Sequence, residues 1–381
     1  MKKIYLDNAA TTPVAEEVKK AMEPFFSENF GNASSLHSFG REAKRALEIS
    51  REKISKKLNA KNYQIIFTSG GTEANNFALK GVASLTSGKH IITTKIEHDC
   101  VLNTCKWLEK QGFKVSYLPV DKEGFISLKE LENAFRKDTF LVSIIHGNNE
   151  IGTIQNLEEI RKICARHNVY LHTDACQSFC KVPIDLKKVN VDLITINSHK
   201  IHGPKGVGAL LIKEGTKIEP ILHGGGQENG FRSGTENISG IVGFAKAIDV
   251  IKDKDIKNME KLRDTLIKGS LEIENSYLNG PQKNRLCNNV NLRFDYIEGE
   301  ALILQLDSKG IATSTGSACS SKSLEPSHVL IAMGLRPEQA HGSVRLTLSK
   351  ESTIEEVKYA IEALKESVEI LRKISPFKNV Q

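Results

Sequence analysis

Strand-like and helix-like segments alternate through the first two thirds of the chain, and this alternation restricts the fold more than any other feature. The runs 64–68, 90–94, 115–119, 140–146, 169–173 and 193–197 are short and rich in β-branched and aromatic residues. Segments with helical spacing lie between them, such as the stretch opening at Thr72 and the stretch 157–167. Strands that alternate with helices are joined by crossovers, which set neighbouring strands parallel and cover both faces of the sheet. The expected class is therefore α/β, with a mostly parallel sheet. Such sheets bind ligands beyond the carboxyl ends of their strands, so the residues just after each run are the first candidates for chemistry.

The last third changes character. Residues 259–273 carry helical spacing, 288–294 and 344–348 read as strands, and a loop rich in Gly, Ser and Cys lies near 314–324. In the final helix Ile354, Val357, Ile361, Leu364, Val368 and Leu371 step by three and four along one stripe. Thr353 with Glu356 has the form of a capping box, and Pro376 lies beyond the helix end. The charged stretch 252–257 suggests a domain boundary. The expected division is a large domain over 15–257 and a smaller α+β domain from 1–14 and 258–381. The smaller domain carries the loop at about 314–326.

A chain of 381 residues is long enough for one large and one smaller domain without staples. No apolar run approaches the roughly 20 residues needed to cross a bilayer, and residues 1–6 are not followed by the apolar stretch of a secretory leader. The formal charge of +7 is a mild bias at this length, and no basic run is dense enough to imply direct nucleic-acid binding. The seven cysteines are odd in number and form no C-x-x-C pair. They read as reduced thiols of a cytoplasmic protein, without a structural zinc site.

Five segments carry candidate chemistry. Ser69-Gly70-Gly71-Thr72-Glu73 joins a strand to a helix. Its glycines admit close backbone approach, and free N–H groups at a helix start attract phosphate. An ordinary glycine turn before a helix reads the same way. Asp174 follows an apolar strand, where its carboxylate can pair with a protonated ring nitrogen such as that of a pyridoxal cofactor, or serve as a helix N-cap. Lys200 follows 193–197 amid Gly and Pro, an environment suited to a desolvated, Schiff-base-forming amine rather than a solvated charge. Lys205 is the second candidate, deeper in the same loop. His98 lies a few residues past 90–94, where an imidazole can stack on a flat ring and move protons, or simply cap a helix. Cys319, in Ser317-Ala318-Cys319-Ser320-Ser321, sits in a run of small polar residues that favours an exposed, reactive thiol.

Together with YLDNAATTP (5–13), GNASSLHSFG (31–40), TSGGTEANN (68–76), EHDCVLNTC (97–105), NNEIGTIQ (148–155), HTDACQ (172–177), SHKIHGPKGVGAL (198–210), HGGGQENGFRSGTEN (223–237), GSACSSKSLEPSHVL (316–330) and SVRLTL (343–348), these segments resemble the cysteine desulfurase family of pyridoxal-phosphate enzymes. The resemblance runs along nearly the whole chain. It implies a PLP-dependent fold type I enzyme that converts L-cysteine to L-alanine and carries the sulfur as a persulfide. Lys200 would hold pyridoxal 5'-phosphate as a Schiff base, His98 would stack on its ring and shuttle protons, and Asp174 would pair with the ring nitrogen. Gln177 would bond the phenolic oxygen. Gly71, Thr72 and His199 would bind the phosphate, with Thr235 reaching it from the second subunit of a homodimer. Asn149 would lie near cofactor and substrate, Arg345 would clamp the substrate carboxylate, and Cys319 would be the nucleophile, on a loop of the family's longer class. Sulfur would pass to acceptor proteins such as an iron–sulfur scaffold, or to tRNA thiolation. A selenocysteine lyase or another β-eliminating relative is the alternative on the same fold.

Three departures from the family's usual pattern stand out. Asn197 stands where Ser is usual three residues before the lysine, and its amide can still donate to phosphate. Ser349-Lys350 replaces a usual Gly-Arg. Ala33 replaces the usual Pro, so that turn is less restrained.

Overall fold

A computed structural model of the chain describes residues 3–316 and 325–376; Cys319 lies outside the described residues. The main sheet has seven strands in the order Tyr63–Thr68, Gly208–Lys213, Leu193–Asn197, Tyr170–Asp174, Thr139–Ser143, His90–Thr94, Lys114–Leu118. The last five pair in parallel. Gly208–Lys213 runs antiparallel to both neighbours. The reason is the connection 198–207, which is shorter than the dozen or so residues a parallel crossover needs. The other six strands therefore all end on one edge of the sheet, and Thr68, Thr94, Asp174 and Asn197 terminate there.

Alternating side chains send each strand into two cores. Ile65 and Phe67 join one apolar cluster with Ala43, Leu47 and Ile54 of helix Ser38–Leu58. Ile66 joins the other, with Phe77 and Val82 of helix Gly71–Leu85 and Val101 of helix Asp99–Lys110. A further core gathers Ile4, Leu6, Leu266, Val290, Leu292, Val344, Leu346 and the final helix Ile354–Ile374. It is built on the antiparallel sheet Ser343–Thr347, Asn289–Phe294, Ser276–Leu278.

The charged stretch 252–257 is helical from Asp253 onward. It holds the first turn of helix Asp253–Ser270, where the Asp255 carboxylate accepts from the Lys252 N–H at 2.9 Å. That helix starts and ends earlier than its apolar spacing suggests. The capping box of the final helix forms as a reciprocal pair, Glu356 N to Thr353 Oγ1 at 3.2 Å and Thr353 N to Glu356 Oε2 at 3.1 Å.

The N-terminal segment bridges the two halves. Ile4–Tyr5 pairs with Ile311–Ala312, Asn8 Nδ2 donates to the Thr347 carbonyl at 2.7 Å, and Thr12 Oγ1 donates to the His199 carbonyl at 2.9 Å. Residues 8–12 are thereby laid across the edge where the parallel strands end. No helix among the described residues is long and apolar enough to cross a membrane.

Candidate active site

A cavity of about 270 Å³ opens at that edge, near the lower end of the roughly 300–1,000 Å³ of small-molecule sites. Its wall includes Gly71, Thr72, His98, Asn149, Asp174, Asn197, His199, Lys200 and Arg345. Residues far apart in sequence meet there because each follows a strand of the same sheet or lies on the segment facing it.

Asp174 is the last residue of strand Tyr170–Asp174 and is almost fully buried. One carboxylate oxygen accepts from Asn75 Nδ2 at 2.7 Å, the other from the Cys176 N–H at 2.9 Å. These contacts hold the carboxylate in place at the strand end. Lys200 lies three residues past strand Leu193–Asn197, half-buried on the cavity wall. Lys205 is exposed and is not part of that wall.

His98 caps helix Asp99–Lys110, its Nδ1 accepting from the Cys100 N–H at 3.1 Å. Burial, reinforced by the nearby Lys200 ammonium, lowers its pKa. His199 is pushed down to about 4 by burial first and then by Lys200, Lys205 and Lys181, so it is neutral at neutral pH. Its Nδ1 lies 3.2 Å from Thr11 Oγ1.

Gly71 opens helix Gly71–Leu85, whose N-cap Gly70 makes no side-chain cap. A Cβ at Gly71 would stand 2.6 Å from Cys176 Sγ, so only glycine lets the helix start approach the strand ends this closely. First-turn N–H groups, the Thr72 hydroxyl and Asn197 together suit an anion. Asn197 has a buried Oδ1 with no partner, and its Nδ2 is 3.4 Å from His199 Nε2.

Arg345 is only 2% exposed on strand Ser343–Thr347. Its Nη1 donates to the Asn149 carbonyl at 3.0 Å and the Gly316 carbonyl at 2.8 Å, and its Nη2 pairs with Asp7 Oδ1 at 2.9 Å. Its Nε is buried without a partner among the described residues, which leaves one donor of a carboxylate-binding edge unused.

Two of the predicted site residues are not on this wall. Gln177 is buried but not on the cavity wall; its Nε2 donates to the Ala9 carbonyl at 2.9 Å, and its Oε1 has no partner. Thr235 lines a second cavity with Arg232, Glu228 and Ser69. Conversely, Asp7, Glu150 and His328 were not anticipated. Burial raises the pKa of Glu150, which accepts from Ser327 Oγ at 2.5 Å. His328 Nε2 donates to the Glu97 carbonyl at 2.9 Å. None carries a spacing signal, since each contact joins distant parts of the chain.

A flat, phosphorylated pyridine fits this donor set. There is a fixed carboxylate for a protonated ring nitrogen, an uncapped helix start beside hydroxyl and amide groups for the phosphate, and a lysine on the wall between them. Among the described residues, the buried Oδ1 of Asn197 and Oε1 of Gln177 have no partner, so polar groups in the region are left for a ligand to meet.

Residues 4–360 match the Aminotransferase class-V family. The cysteine desulfurase IscS of Dictyoglomus turgidum is 53% identical over 383 residues, covering 99% of this chain and 97% of that protein. The IscS of Methanosarcina thermophila is 52% identical, covering 98% and 94%. Among solved structures, a NifS-like protein superposes with a TM-score of 0.91 at 41% identity, covering 97% of this chain and 100% of that one. A structure described as SspA in complex with cysteine gives 0.83 at 38% identity, covering 92% and 100%.

Proposed function

Since the chain belongs to the aminotransferase class-V family and is a pyridoxal-phosphate-dependent cysteine desulfurase, we propose that Lys200, His98, Asp174 and Arg345 carry its chemistry and that Cys319 takes the sulfur. The observation that supports this reading is that a single cavity is lined by all four of the first group.

Bound pyridoxal phosphate supplies an electron-withdrawing ring that stabilises negative charge at the substrate α-carbon. Asp174 keeps the ring nitrogen protonated. Thr72, Asn197, His199 and the helix start at Gly71 hold the phosphate, and Gln177, whose Nε2 keeps one proton beyond its bond to the Ala9 carbonyl, is the donor assigned to the phenolic oxygen. Arg345 orients the cysteine carboxylate, and Asn149 holds the same region through its contact with that guanidinium. The Lys200 amine, or His98, takes the proton from the α-carbon. The Cys319 thiolate attacks the substrate sulfur; an S–S bond forms as the C–S bond breaks, and the electron pair stays with carbon. Protonation of that carbon releases alanine and leaves a persulfide on Cys319.

Thr235 is assigned to the phosphate of a partner subunit's site in a homodimer. Its place in a separate cavity of its own chain supports that role. The sulfur acceptor is a protein such as an iron–sulfur scaffold, in the cytoplasm.

The test uses two variants. Lys200→Ala is expected to lose alanine formation by at least about 10³-fold, since the covalent anchor and the base are lost together. Cys319→Ser is expected to retain the cofactor's absorbance and lose persulfide formation. A Lys200→Ala protein that turns over cysteine, or a Cys319→Ser protein that still delivers sulfur to an acceptor at the wild-type rate, contradicts the assignment.

A further inference from the structure

The cavity wall holds a thiol the reaction does not use. Cys100 Sγ lies 3.0 Å from His98 Nδ1 and 3.1 Å from Asn75 Nδ2. Asn75 Nδ2 also donates to Asp174 Oδ2 at 2.7 Å, which fixes the amide orientation, because the flipped amide would set its oxygen against the carboxylate. Both protons of the Asn75 amide are thereby committed, one to Asp174 and one to the Cys100 sulfur. His98 Nδ1 already accepts from the Cys100 N–H at 3.1 Å, so it has no proton to give. The Thr72 side chain also hydrogen-bonds the sulfur; with Nδ1 3.0 Å away and unprotonated, the S–H is the proton available to that contact.

We propose that Cys100 is a positioning residue for His98: its S–H adds a second donor at Nδ1 beside the backbone N–H, reinforces the neutral ring with its proton on Nε2, and ties the ring to Asp174 through Asn75. This rests on the role given to His98 above. Burial pushes the Cys100 thiol up to about 12, so it keeps the proton it donates throughout the working pH range. A proton arriving at Nδ1 must displace two donors, the backbone N–H and the thiol, so both oppose protonation of the ring. The other titratable groups facing His98 are Lys200 and His328, which lower its proton affinity, and Asp174 and Asp99, which raise it. Cys100 sets the balance among them without carrying charge.

Substitution separates this role from packing. Alanine removes the thiol donor and leaves the backbone donor; serine supplies a hydroxyl donor of similar reach. In holoenzyme labelled with 15N-histidine, the His98 signal is identified by its loss in His98→Gln. The wild-type ring is expected as the Nε2–H tautomer. In Cys100→Ala its pKa should rise by roughly half to one unit, the worth of one neutral hydrogen bond, and the acid limb of kcat/KM should move the same way. Cys100→Ser should restore both. An unchanged His98 titration in Cys100→Ala, or a shift in Cys100→Ser equal to that in Cys100→Ala, overturns the proposal. If His98→Gln turns over cysteine at the wild-type rate, it is the reading of His98 that fails, while the titration still decides the role of Cys100.

Discussion

Arg345 shows how a single residue can be committed before its substrate arrives. Its guanidinium is spent on two backbone carbonyls and on Asp7, with Nε unpaired. A substrate carboxylate must compete with Asp7 for the Nη2 side, and a bidentate fork is the group that can hold either partner firmly. Arg345→Lys keeps the charge but loses the fork. It is expected to raise KM for cysteine about 10- to 100-fold with a smaller change in kcat, measured by initial rates of alanine release. A fall in kcat with unchanged KM would contradict the carboxylate role. The sequence made His98, Asp174 and Lys200 readable as candidates because each follows a strand-like run within a few residues. Asp7 stood in a quoted motif, yet its partner is 338 residues away, and no local pattern reports a contact of that range. The Cys100 network was hidden for a related reason: a lone cysteine shows no role until its neighbours in space are known.

At the scale of an element, the turn after strand Tyr170–Asp174 carries the least explained group in the fold. Lys181 is buried there with no partner for its Nζ among the described residues, next to Cys180, whose backbone takes the left-handed conformation at φ 61°. Burial lowers the Lys181 pKa to about 8. The unfolded chain holds that proton up to the ordinary value of 10.5, the folded chain only to about 8. Between these values the unfolded state binds more protons, so stability rises with pH. Below about 8 the cost of the buried charge is carried in full. Lys181→Met is therefore expected to stabilise the protein by about 1–3 kcal/mol at pH 6–7, with the gain fading toward pH 10, as read by denaturant midpoints at each pH. A variant less stable than wild type at pH 7 would mean the ammonium has a partner in solution. Periodicity exposed most strands of the main sheet and the final helix. It did not reveal that Gly208–Lys213 enters the sheet antiparallel, because direction is set by the length of the preceding connection rather than by composition. Nor did it place the start of helix Asp253–Ser270, whose first turn is charged and shows no apolar stripe.

At the scale of the whole molecule, the sheet edge, the N-terminal segment and strand Ser343–Thr347 converge on one cavity, while Thr235 faces another. If Thr235 completes the phosphate site of a partner, mixed dimers report it. Thr235→Val should weaken cofactor binding roughly tenfold through loss of a hydrogen bond to a charged group. A dimer of one Lys200→Ala chain and one Thr235→Val chain should regain one fully competent site, seen as about half the wild-type activity at limiting cofactor. Action within a single chain would give no recovery. The central claim, that this cavity and Cys319 together move sulfur from cysteine to a protein thiol, has a more direct test. In a single turnover of the purified, cofactor-loaded protein with L-cysteine, alanine and protein-bound reducible sulfur are measured in the same sample. Equal amounts of the two are expected, with the sulfur on the peptide containing Cys319. Alanine released with no sulfur on that peptide, or no alanine at all from a fully loaded protein, would contradict it.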